Sequence, residues 1–390
     1  MTGFRLSDKT QRLALGQPFA LESGQSLPEV DIAYRTWGQL NREGDNAVVV
    51  CHALTGSADA DDWWGALFGP GKALDPSRFF IICSNVLGGC YGTTGPASRA
   101  PDGRTWGRRF PRITVRDQVR LQMQLADRLG VRGIRFVIGG SMGGLQALEW
   151  ALLDPERVRA VISIAATGQH TAWCAAWSEA QRLALRADPK FSGGDYDPAD
   201  PPRAGLEAAR AIAMVSYRSP ASLGVRFGRA NGRDVFAAGA EAPDELAVRG
   251  WLRFHGKALA ERFDANSYLT LIDAMDTHDL ARGRGRYPAV LKRISQPVLV
   301  GSVLSDILYP PVEQHALVRS LPRAQLFDID TDHGHDGFLI NAPSFEERLR
   351  LFVSQIPGDP VPLQAVPAWR SAGDYLNRNA RQASSLQFID

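Results

Sequence analysis

Ser141 stands in the stretch VIGGSMGGLQALEW, residues 137–150, walled by Gly139, Gly140, Gly143 and Gly144. A surface turn needs one or two glycines; four around one hydroxyl mean that backbone must approach closely or take angles a Cβ forbids. Gly139-Gly140-Ser141-Met142-Gly143 fits G-x-S-x-G, with an apolar run before it and a helical pattern after it. In that context the serine sits on a strained strand-to-helix turn as a nucleophile, with the helix N-terminus beneath it. A serine hydroxyl is a weak nucleophile at neutral pH and needs a base, which in turn needs an orienting acid. For a corner of this type the chain order is Ser, acid, His. Asp306 follows the run PVLVGSV and His335 follows AQLFDID, so the order is met.

Other groups compete for these roles. His333 lies two residues from His335, and Asp328, Asp330 and Asp332 crowd the same loop. His52, His170, His255, His278 and His315 are expected to be structural or exposed, with His52, at the end of AVVVCHAL, the one to watch. An oxyanion requires two backbone donors, one after the nucleophile and one from the loop after an earlier strand. Those positions are Met142 and, in CHALTG, Leu54.

The elements that must hold these residues are legible as an α/β pattern. NAVVVCHAL (46–54), RFFIICSNVLG (78–88), IRFVIGG (134–140) and VRAVISIAA (158–166) are nearly continuous in apolar residues, as expected for strands buried on both faces of a mostly parallel sheet. Between them VRDQVRLQMQLADRLG predicts a helix closed by Gly130. From 168 to 293 strand runs give way to helical text, and then PVLVGSV (297–303) and AQLFDID (324–330) return. The division expected is a core in two parts, 1–167 and 294–356, a helical lid inserted at 168–293, and a Pro-rich extension at 357–390 along the surface.

Composition narrows the setting. The 390 residues are 44% hydrophobic and 22% charged, with Lys and Arg (44) nearly cancelling Asp and Glu (42). That balance, without a long basic run, speaks against a nucleic-acid partner. No 18 apolar residues run together and the N-terminal stretch lacks a signal-like apolar region, so neither a membrane span nor secretion is expected. The four cysteines are scattered without a CxxC pair, which predicts neither zinc nor a disulfide framework and fits a reduced cytoplasm.

Taken together, YRTWGQLN, CHALTGSA, NVLGGCYGTTGPAS, FPRITVRDQV, GGSMGGLQALEWA, RFGR, SDILYPP and GHDGFL resemble the α/β-hydrolase-fold homoserine O-acetyltransferases of methionine biosynthesis, in order over about residues 10 to 355. The resemblance implies a ping-pong acyl transfer from acetyl-CoA to L-homoserine through an acetyl-Ser141 intermediate, with acetyl-CoA as co-substrate and no bound cofactor or metal. It assigns Arg210 to the substrate carboxylate, Tyr217 seven residues on, and Asp336 to the substrate ammonium. A zwitterion needs one cation and one anion at fixed separation, and arginine grips a carboxylate with two parallel bonds. Seven residues are about two helical turns, which puts Arg210 and Tyr217 on one face. Succinyl-using relatives carry an arginine two residues after the acid; here that position is Leu308, where an unpaired succinyl carboxylate would be costly to bury. GGSMGG and GGCYGTTGP, rather than the GNSMGG and SCKGSTGP-like loop of serine-using relatives, point to homoserine. The family also pairs its lids, so a homodimer is expected. The alternatives are a succinyl-CoA-dependent homoserine or serine acyltransferase, and an esterase of the same fold.

Overall fold

The computed structural model describes residues 6–230 and 245–358; of the C-terminal extension expected at 357–390, all but the first two residues lie outside them. Eight strands form one sheet: β1 (Gln11–Ala14), β2 (Asp31–Trp37), β3 (Ala47–Cys51), β4 (Phe80–Ser84), β5 (Ile134–Gly140), β6 (Val161–Ile164), β7 (Val298–Val303) and β8 (Ala324–Ile329). Their order is β1-β2-β4-β3-β5-β6-β7-β8. Pairs from β4 to β8 are parallel, whereas β1 on β2 and β2 on β4 run antiparallel. A two-strand ribbon, Phe19–Ala20 with Ser26–Leu27, stands apart.

The central strands are buried on both faces because alternate side chains enter different layers. Along β3, Ala47, Val49 and Cys51 join one core with Trp150, Leu148 and Leu125, while Val48 and Val50 join the other with Phe136, Leu349 and Phe352. The sequence patterns find these strands but not the antiparallel edge. β1 is largely exposed and β2 mixes charged with apolar residues, so neither shows a continuous apolar run.

Among the described residues, nine helices of eight residues or more cover the sheet or bridge its strands. α1 (Val115–Arg128) begins at a reciprocal cap in which the Thr114 hydroxyl accepts from the Asp117 amide and the Asp117 carboxylate accepts from the Thr114 amide. It ends where Gly130 takes φ 81°, the left-handed conformation that its position after the last turn requires. α2 (Met142–Leu153) follows β5 directly. Between β6 and β7 lie α3 (Ala172–Arg186), α4 (Arg203–Tyr217), α5 (Pro220–Phe227), α6 (Ala247–Ala260) and α7 (Ala265–Asp276). After β7 come α8 (Pro311–Ser320) and, beyond β8, α9 (Ala342–Ser354).

The inserted helices leave and rejoin the core through a two-stranded neck. Gln169 pairs with Asp279, the His170 amide donates to the His278 carbonyl (2.9 Å), and the Leu280 amide donates to Gly168 (3.0 Å). Past the neck, Leu280, Val290, Leu291 and Ile294 already belong to the main core. A third apolar cluster joins insertion to sheet, with Leu206, Ala209, Leu259 and Tyr268 packed among Leu54, Met142, Leu145, Leu308 and Tyr309. The helices therefore sit over the carboxyl ends of the central strands.

Candidate active site at the strand-to-helix corner

Ser141 joins β5 to α2 with φ 56° and ψ −127°, a region that costs a non-glycine residue about 1–3 kcal/mol. Its backbone is held on both sides: the amide donates to Ile164 (2.9 Å), and the carbonyl accepts from Gly144 (2.8 Å) and Leu145 (3.2 Å). The four glycines have separate reasons. A Cβ on Gly139 would stand 2.2 Å from the Gly143 carbonyl oxygen, and one on Gly143 would stand 2.0 Å from the Cys51 carbonyl oxygen. On Gly140 it would meet the Phe338 ring at 2.4 Å, and on Gly144 the Ala166 Cβ at 2.5 Å. Close packing of three strands and a helix, not turn conformation, excludes side chains at these positions.

The loops after β7 and β8 bring together Asp306 and His335, both nearly fully buried. His335 Nδ1 donates to Asp306 Oδ2 at 2.6 Å, and Asp306 Oδ1 accepts from the Leu308 (2.8 Å) and Tyr309 (2.9 Å) amides. That fixes the tautomer of the neutral ring, with the lone pair on Nε2, which is buried and without a hydrogen-bond partner among the described residues. Burial alone would depress this imidazole; the charge and hydrogen bond of Asp306 outweigh it and raise His335 above its ordinary 6.5. Its ring is packed by Tyr309 (5.5 Å between centroids), Tyr217 (5.7 Å) and Phe338 (5.5 Å). Phe338 is also the ring that Gly140 makes room for, so one side chain touches both the serine corner and the histidine.

The competitors fall away. His333 lies near Arg218 (3.5 Å), Asp328 faces His315 (3.7 Å), and Asp330 and Asp332 are exposed. His52 is structural: Nδ1 donates to its neighbour Ala53 (2.8 Å), Nε2 accepts from the Val86 amide (3.1 Å), and burial holds its pKa down to about 4. It ties the loop after β3 to the segment that follows β4. The same burial lowers His255 to about 4 and His278 to about 3.

That loop lies on the start of α2, as the approach of the Cys51 and His52 carbonyls to Gly143 shows. The Leu54 and Met142 amides stand outside the hydrogen bonds among the described residues. From the insertion, Arg262 donates to the Thr55 carbonyl (3.1 Å) and so pins the loop from the opposite side, a contact that no sequence pattern announces.

A second group of polar residues surrounds His335 from the insertion. Arg210 and Tyr217 share a face of α4, with the guanidinium 5.3 Å from the tyrosine ring. Arg210 Nη1 is buried without a hydrogen-bond partner among the described residues. Asp336, next in chain to His335, is paired with Arg218 Nε at 3.3 Å, a residue the sequence did not single out. Burial pushes the Asp336 carboxyl up, opposed first by Arg218 and then by Arg210. Burial likewise raises the Tyr217 phenol. Leu308 is buried beside Tyr309 in the apolar cluster; its amide serves Asp306, and its carbonyl accepts from the Cys174 thiol (3.2 Å).

A serine at a strained elbow after the fifth strand, with an Asp-His pair from the seventh and eighth, is the α/β-hydrolase arrangement, and residues 46–342 match the family model described as alpha/beta hydrolase fold. The homoserine O-acetyltransferase of Nostoc punctiforme is 52% identical over 348 residues, 88% of this chain and 95% of that one. That of Chloroherpeton thalassium is 50% identical, covering 90% of this chain and 91% of its own. The chain belongs to the homoserine O-acetyltransferase family. Among solved structures, homoserine O-acetyltransferase from Bacillus anthracis superposes with a TM-score of 0.81 at 25% identity (90% of this chain, 99% of that one). Esterase E22 does so with 0.79 at 27% (88% and 100%), so overall shape does not separate transfer from hydrolysis.

Proposed function

We propose that this protein transfers the acetyl group of acetyl-CoA to the hydroxyl of L-homoserine, giving O-acetyl-L-homoserine and CoA. Ser141 Oγ attacks the thioester carbonyl while His335 Nε2 takes its proton, and Asp306 stabilises the imidazolium. The Leu54 and Met142 amides hold the oxyanion. Collapse expels CoA with the proton from His335 and leaves acetyl-Ser141. The homoserine hydroxyl then gives its proton to His335 and attacks the acyl carbon, and the second collapse frees Ser141. The thioester bond broken in the first half is balanced by the ester formed, and water takes no part.

The observation that carries the acceptor assignment is the grouping of Arg210, Tyr217 and Asp336 around the same imidazole that pairs with Asp306. An esterase needs no grip for an amino acid beside its base. Here Arg210 takes the acceptor carboxylate, Asp336 its ammonium, and Tyr217 packs the carbon chain against His335. Leu308, apolar and buried, favours an acetyl over a succinyl donor. The helices between β6 and β7 shield acetyl-Ser141 from bulk water. A homodimer paired through these helices belongs to the same reading. A CoA-dependent biosynthetic step fits the cytoplasm, and no helix among the described residues is long and apolar enough to cross a membrane.

Thiol-detected CoA release from acetyl-CoA and succinyl-CoA, each with L-homoserine, L-serine or water, tests this reading. Release from acetyl-CoA that depends on homoserine is the expected result. Release from succinyl-CoA overturns the donor, serine dependence overturns the acceptor, and indifference to acceptor makes the protein a hydrolase. Sedimentation at micromolar protein tests the dimer.

A further inference from the structure

The corner between α4 and α5 lies directly on the loop that carries His335. A Cβ on Gly334 would stand 2.6 Å from the Ser219 amide nitrogen and 2.7 Å from the Arg218 carbonyl carbon. The Ser219 hydroxyl donates to the Asp332 carbonyl, and Arg218 Nη1 lies 3.5 Å from His333 Nδ1. Within this contact Arg218, 12% accessible, faces Asp336 across 3.3 Å and packs over Trp251 at 5.8 Å. The pair is held by charge: Arg218 Nε lacks hydrogen-bond geometry to any acceptor among the described residues. An ammonium approaching Asp336 therefore meets a carboxylate whose other near neighbour is a fixed guanidinium.

We propose that Arg218 is a positioning residue for the acceptor site, fixing the Asp336 carboxylate to the corner between α4 and α5 so that it can pair with the acceptor's ammonium. The inference rests on the assignment of Asp336 to that ammonium. The groups around Asp336 are Arg218 and Arg210 from α4 and its end, His333 and His335 in its own loop, and Asp306 from the loop after β7. Burial raises the Asp336 carboxyl, and Arg218 is the largest charge opposing that rise. Without Arg218 the carboxyl rises further and the fraction ionised at neutral pH falls. Raising the pH would restore it.

The experiment uses the full chain with acetyl-CoA and varied L-homoserine, comparing Arg218→Met, Arg218→Lys, Asp336→Asn and the double variant Arg218→Met with Asp336→Asn. Arg218→Met is expected to raise KM for homoserine roughly tenfold, within the range of coupled charged neighbours. The burst of CoA release without acceptor should fall by much less. The raised KM should decline as pH increases, Arg218→Lys should recover most of the loss, and Arg218→Met should add nothing to Asp336→Asn. An unchanged KM in Arg218→Met overturns the proposal, as does a rise of equal size in the Asp336→Asn background, which marks a structural staple only. If Asp336→Asn itself leaves KM unaltered, the ammonium assignment fails, and this inference with it.

Discussion

The serine corner, through Phe338, and the polar group from the insertion, through Tyr217, both border the His335 ring but are built in opposite ways. At the corner Ser141 is held at its amide and carbonyl, glycine clearances of 2.0 to 2.5 Å fix the chain path, and both oxygens of nearby Asp306 are hydrogen-bonded. In the cluster on the lid, Arg210 Nη1, Arg218 Nε and Trp251 Nε1 are buried without hydrogen bonds among the described residues. Unmet buried donors are costly, so under the proposed function a polar ligand would complete this group, Arg210 Nη1 first, since Arg218 Nε already faces Asp336. The core half is held by its own hydrogen bonds and close contacts, whereas under the proposed function the polar group from the insertion is completed by a charged acceptor.

The sharpest way to break this contrast is Ser141→Ala. CoA release should fall by roughly ten-thousand-fold or more, since removing a nucleophile disables the whole unit. The thermal midpoint should hardly move, and retention of activity would remove Ser141 from the mechanism. Gly143→Ala comes next. Its methyl would overlap the Cys51 carbonyl at 2.0 Å, so the start of α2 must shift. Denaturant unfolding should show a loss of about 1–3 kcal/mol, as for overpacked cores, together with loss of activity. A neutral result would mean that the corner is softer than its contacts indicate.

Arg210→Met should instead act on the acceptor alone, raising KM for homoserine roughly tenfold to a hundredfold, the range for a lost charged hydrogen bond. The burst of CoA release should change little; a proportional loss of burst would merge the two regions into one. The pH profile sharpens the comparison further. Because His335 must be neutral to accept a proton and its pKa is raised, kcat/KM should climb with pH through an inflection above 6.5. Asp306→Asn removes the charge that raises it and should shift that inflection down. The same shift adds stability that is fully present below the usual imidazole value and is lost as pH rises through the folded one. The smallest effect belongs to the control. His315→Gln removes a partly exposed 3.7 Å contact to Asp328 and should change stability by about 0.5 kcal/mol or less, without touching kinetics.

How much of this was legible beforehand differs between the same two regions. Ser141, Asp306 and His335 could be picked out because their order and their places after apolar runs are properties of one chain read end to end. The structure brings Asp306 and His335 to 2.6 Å and relegates His52, His333 and Asp328 to other contacts. Arg210 and Tyr217 were legible through resemblance alone, since an arginine and a tyrosine seven apart on a helix are otherwise ordinary. Arg218 and Arg262 carried no signal. Their partners Asp336 and Thr55 lie far off in sequence and near only after folding.

The sequence by itself determined the alternation of buried strands and helices, the glycine-walled serine and the order of the acid and base, because periodicity, steric exclusion and chain order act locally. Only the tertiary structure decided which carboxylate meets which cation, which histidine is neutral and pinned, and which buried donors remain unmet. Those outcomes depend on distance and desolvation between segments more than two hundred residues apart, and no local pattern encodes them.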